Sequence, residues 1–252
     1  MNKKSLFAAS SLFLTLGLVI EASLPSSIKI LFLLGLSLTA GILTVVVLKE
    51  NIAGLEFFTL TALPVLFTFG MSGILYQFPN FSLFFRFVFW SLYSFFFYII
   101  LLSGNIFNVA AEKPIPLVRA SYTASFLVTL FTIFPLYTVV FKINPSLPIA
   151  LLLISVLTFA LTFQSLWTVF LPKAYDPKSF WGSVVVTLVM AEVLLALSFM
   201  QLESFYRALG LATIYYIVLG FTHHYFRRSL NSKVYFEYLL IVLIVSFIIF
   251  LF

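Results

Sequence analysis

The stretch I-K-I-L-F-L-L-G-L-S-L-T-A-G-I-L-T-V-V-V-L, residues 28–48, decides the fold. After Lys29 it carries no charge until Lys49. A helix rises about 1.5 Å per residue, so some 20 such residues cross the roughly 30 Å hydrocarbon layer of a bilayer. The run is continuously apolar and lacks the period-two alternation of a barrel strand, which leaves a membrane helix.

Eight further runs of this kind follow the same logic, giving spans at 5–22, 28–48, 56–76, 83–103, 117–141, 149–170, 181–201, 205–226 and 235–252. Short polar or proline-bearing turns separate them, so neighbours in sequence are expected to be antiparallel. The composition agrees: 63% of the 252 residues are hydrophobic and 9% charged, against roughly 25% charged in a water-soluble domain. The expected fold is all-α, a polytopic transmembrane bundle of about nine spans in a single integral membrane domain, 1–252. The connecting stretches are too short to hold a soluble domain.

Short cytoplasmic loops are enriched in lysine and arginine, which orients the chain. With the amino terminus inside, ten of the fourteen cations fall on the cytoplasmic side (Lys3, Lys4, Lys49, Lys113, Arg119, Lys173, Lys178, Arg227, Arg228, Lys233) and four outside (Lys29, Arg86, Lys142, Arg207). The first run also resembles a signal peptide, but Ile20 stands where a small residue is wanted before Ala22, so it is read as an uncleaved helix.

What is missing removes several chemistries. There is no cysteine, hence no disulfide or thiolate. Asp176 is the single aspartate, whereas a prenyl-transfer site needs paired aspartates for magnesium. Neither late span carries a lysine for a retinal Schiff base. A formal charge of +6 scattered among apolar runs is no nucleic-acid surface. No catalytic residue, metal or cofactor is predicted. The expected partners are the lipid bilayer and other membrane subunits or a second copy.

Candidate residues are the polar ones inside the apolar runs. Glu192 sits in T-L-V-M-A-E-V-L-L-A-L (187–197), about 16 Å into its span by the boundaries above. A charged acid there costs several kcal/mol, so it must hold its proton or meet a partner on another helix, with Arg119 the natural one. Arg119, Tyr122, Ser125, Thr129 and Thr132 recur every three or four residues and form one stripe, expected to look into the bundle. Asn105, Asn108 and Glu112 share a face below span four. Pro64 in T-A-L-P and Pro135 in T-I-F-P are hinge candidates, each with a threonine three residues earlier that could serve a freed carbonyl. G-M-S-G (70–73) resembles the motif around the nucleophile of rhomboid-type proteases, but the expected topology puts Ser72 and the histidines 223 and 224 at opposite ends of their spans. H-H-Y-F-R-R (223–228) is read as an interfacial anchor and the aromatic block 84–98 as packing surface.

The segments N-I-F-N-V-A-A-E-K-P-I-P-L-V-R-A (105–120) and W-G-S-V-V-V-T-L-V-M-A-E (181–192) resemble a group of uncharacterised polytopic membrane proteins of bacteria, over the middle half of the chain. The resemblance implies a bacterial cytoplasmic membrane, multi-pass, and assigns no activity, so no catalytic residue carries over. The first expectation for function is a non-enzymatic membrane component that packs with partner subunits or itself. The alternative is a small-solute or ion transporter with Glu192 as coupling acid, and the second alternative a membrane enzyme acting at the cytoplasmic face.

Overall fold

A computed structural model describes residues 3–48, 54–110, 116–171 and 176–251. Among them the regular structure is all helical: α1 (Lys3–Ser23), α2 (Ser26–Leu48), α3 (Leu55–Gln77), α4 (Leu83–Ala110), α5 (Val118–Ile143), α6 (Leu147–Phe170), α7 (Pro177–Ser198), α8 (Ser204–Phe226) and α9 (Ser232–Leu251). The first eight are long and apolar enough to cross a membrane, and α9 adds the apolar stretch Tyr235–Ile248. Many large apolar side chains point outward, among them Leu31, Leu83, Leu152 and Phe199. In water they would be costly, whereas against acyl tails they are solvated by their own kind.

Two helices depart from the sequence boundaries for local reasons. Helix α4 runs past its apolar part to Ala110 and carries Asn105 and Asn108 as helical residues, as their shared face requires. Helix α7 starts four residues before its apolar run. The Asp176 side chain accepts from the Ser179 backbone N–H at 3.0 Å and the Ser179 hydroxyl at 2.8 Å, with Pro177 in the first turn. A carboxylate at the N-cap satisfies a donor that the first turn cannot, and proline there loses nothing because its missing N–H would have been an orphan.

The helices group into two compact units. Unit 1 holds residues 1–132 with 171–175, and unit 2 holds 133–170 with 176–252. The boundary falls inside α5, three residues before Pro135.

In unit 1, α2 packs on α3 and α1 on α4, with α1 also touching α2 and α3. Gly41 lets α2 approach closely: a Cβ there would stand 2.8 Å from Val65 of α3, the small-residue device by which membrane helices gain contact without a hydrophobic drive. The centre is aromatic. Tyr93 stacks on Phe67 at 5.3 Å and on Phe97 at 5.8 Å, all three fully buried, and its hydroxyl shares a 2.9 Å hydrogen bond with Thr68.

In unit 2, α6 packs on α7 and α8, α7 on α8, and α8 on α9. The buried side of α7 is Ser179, Ser183, Val186, Met190 and Leu194, spaced three or four apart. Helix α9 is held by Tyr238, buried against Phe221 (4.7 Å between centroids) and Tyr216 (5.2 Å). Its ring lies over Gly220 of α8, where a Cβ would overlap the tyrosine hydroxyl.

Candidate functional site

Glu192 lies on the exposed side of α7. The expectation that it looks into the bundle toward a partner is corrected by helical geometry: the buried line through Val186, Met190 and Leu194 leaves residue 192 on the opposite side. The neighbours on its own side are Trp181, Val185, Leu188, Leu195 and Phe199, all exposed. Residues 181, 185, 188, 192, 195 and 199 alternate steps of four and three, which is the seam spacing of helices that pack side by side in a left-handed sense. With α7 ending at Ser198, the acid stands about 9 Å from that end rather than at the midplane, still inside the apolar part of the helix.

The stripe on α5 divides. Ser125, Thr129 and Thr132 are buried, Tyr122 is half-buried and packs on Phe107 at 5.7 Å, and Arg119 at the foot of the helix is exposed. Thr129 and Thr132 donate to the carbonyls of Ser125 and Val128, four residues back. Their protons are thereby used inside the helix, and what faces the interior is an acceptor surface. Asn105 accepts from Lys3 Nζ at 3.4 Å, which ties α4 to the start of α1. Asn108 is buried, and its Nδ2 has no hydrogen-bond partner among the described residues. Glu112 lies outside the described residues.

Helices α3 and α5 run through Pro64 and Pro135 unbroken. The carbonyls those prolines free belong to Leu60 and Phe131, four residues earlier. The expected rescue by threonine does not occur: Thr61 donates to Phe57 and Phe58, and Thr132 to Val128, one turn too low.

A second acid, close to the end of the first span, is the most enclosed carboxyl among the described residues. Glu21 is 1% exposed, on the face of α1 that carries Leu14, Gly17 and Leu18. Its Oε2 accepts from the Ser72 hydroxyl of α3 at 2.5 Å, and its Oε1 has no hydrogen-bond partner among the described residues. Ser72 is the serine of G-M-S-G, and its partner is a carboxylate, not a histidine. The signal in sequence was the helical spacing of Leu14, Leu18 and Glu21, which continues the buried face to the last turn of α1.

Unit 2 carries a polar line of its own along α6. Thr158 shares a 2.7 Å hydrogen bond with the Tyr137 hydroxyl, Thr162 donates to the Tyr215 hydroxyl at 3.3 Å, and Ser165 shares a 3.0 Å bond with His223 Nε2. All six residues are buried. Positions 158, 162 and 165 fall on one helical face, and the tyrosines and histidine from α5 and α8 close it. His223 is therefore a packed interior residue, whereas His224 bonds through Nδ1 with the Ser229 hydroxyl at 2.9 Å.

Neither the curated proteins nor the solved structures contain a match to this chain. A family model does match, over residues 11–252. The chain, whose described residues form eight helices fit to span a membrane, thus belongs to the family described as Protein of unknown function (DUF5656).

Proposed function

We propose that this protein is a non-enzymatic, multi-pass component of the bacterial cytoplasmic membrane, its amino terminus inside, that assembles with a second copy through the outer face of α7. The observation that supports this reading is an acid, Glu192, on an otherwise apolar exposed face whose residues keep seam spacing. An ionised carboxylate against acyl chains is strongly disfavoured, and a protonated one still seeks an acceptor. A neutral carboxyl group is donor and acceptor at once, so it is self-complementary. Two copies related by a two-fold axis along the membrane normal set Glu192 beside its own counterpart. Leucine, valine and tryptophan above and below add van der Waals packing, in the way that one polar seam position fixes register while apolar neighbours supply contact.

The chain has no cysteine, so single cysteines report proximity without background. Oxidative cross-linking in native membranes is expected to trap dimers through Val185→Cys, Leu188→Cys and Leu195→Cys. It is expected to trap none through Val186→Cys or Leu194→Cys, which are buried, or through Leu152→Cys, which is exposed on α6. Equal trapping at Leu152, or none along the seam, rejects the reading.

A further inference from the structure

We infer that Glu21 is a proton-binding site, a carboxyl that is neutral while packed on Ser72 and that exchanges its proton with water at the Ser23 end of α1. This is independent of the α7 seam, because it rests on a different acid on a different helix of unit 1.

A carboxylate offers about four lone-pair directions and is stable in a dry site only when several donors fill them. Here one donor is present, the Ser72 hydroxyl, while the second oxygen is enclosed without a partner among the described residues. The buried face of α1 that carries Glu21 otherwise presents Leu14, Gly17 and Leu18 on the two turns before it, which bring no side-chain donor. A proton on the carboxyl removes the charge that this environment cannot hold.

Position makes the proton exchangeable. Glu21 is two residues from the end of α1, about 3 Å along the axis, and Ser72 is about 8 Å from the end of α3. The site therefore lies beside the headgroup layer although its side chain is shielded. Of the helices packed on α1, α2 carries Lys29 in its first turn, α4 carries Tyr93, whose hydroxyl is shared with Thr68, and α3 brings Ser72. Lys29 is half-buried at the start of α2. It is the cation that favours the ionised carboxylate once the proton leaves. The two states are thus a neutral Glu21 bonded to Ser72 and an anionic Glu21 balanced by Lys29, and no bond other than O–H is made or broken between them.

The test is infrared difference spectroscopy on the full chain in lipid nanodiscs, acid buffer minus alkaline buffer. Wild type is expected to show a protonated-carboxyl carbonyl band that bleaches as pH rises. In Glu21→Gln that band is expected to be missing, with the rest of the difference spectrum retained. Ser72→Ala keeps the acid and removes its donor, so the band is expected to persist and move to higher frequency. Should Glu21→Gln fail to insert, the Ser72→Ala spectrum decides alone. A Glu21→Gln difference spectrum identical to wild type, or a band unmoved in Ser72→Ala, overturns the assignment.

Discussion

Replacing Glu192 by leucine removes the one polar group from the exposed face of α7 and leaves its shape nearly unchanged. In the dimer the two carboxyls satisfy each other, and interhelical hydrogen bonds of this sort contribute from about 0.6 to about 2 kcal/mol. In the separated copy each acid faces lipid at about 9 Å from the helix end. The penalty for a carboxyl there is smaller than the roughly 3 kcal/mol assigned to the helix centre but still favours association. Together these give a loss of about 2 kcal/mol on mutation, close to a thirty-fold rise in dimer dissociation constant. The measurement is energy transfer between donor- and acceptor-labelled copies across a series of protein-to-lipid ratios, with the labels on cysteine introduced at the exposed turn residue Ser146. Glu192→Gln is expected to stay within about threefold of wild type, since paired amides are also self-complementary. A leucine variant that associates as tightly as wild type would show that the acid contributes nothing and that the seam, if one forms, is set by apolar packing alone.

Gly220→Ala places a methyl group where the Tyr238 hydroxyl sits, and overpacking of this kind costs about 1–3 kcal/mol. Faster proteolysis in the 227–231 connection is the expected readout, and an unchanged rate would mean that α9 shifts without strain. Asp176→Ala deletes the N-cap of α7 and is expected to lower stability by about 1 kcal/mol, measured as the denaturation midpoint in mild detergent, with Asp176→Asn recovering most of it. Tyr137→Phe leaves Thr158 without its hydroxyl partner and is expected to cost about 0.6–1.5 kcal/mol in the same assay. A neutral result there would assign the polar line of α6 to something other than stability.

Most of the architecture was legible because hydrocarbon thickness imposes one length on every span, so Ile28 to Leu48 could be read without knowing its neighbours. Helix ends were harder. The start of α7 is set by Asp176 and Pro177, a local capping pattern invisible to hydropathy, and moving that start changes the depth of Glu192 by about one turn. Facing was harder still. Glu192 was expected inside because an isolated acid in an apolar run suggests a buried site, but the burial of residues 186, 190 and 194 turns it outward. The stripe on α5 followed its periodicity at Ser125, Thr129 and Thr132, whereas Arg119 at its foot is exposed. Glu21 escaped notice because it stands one turn from a proline-containing loop, where a charge looks ordinary. Only the arrival of α3 beside α1 makes it enclosed, and that pairing joins residues 51 positions apart.

The division within α5 has a consequence for biogenesis. Apart from the connection at 171–175, unit 1 is the first 132 residues of the chain, and its helix pairs, α1 with α4 and α2 with α3, are all complete by residue 110. Chains emerge from the ribosome amino end first, at seconds per helix, and domains fold in that order. The leading helices can therefore find their neighbours, and the Glu21 carboxyl its serine, before α8 and α9 have been made.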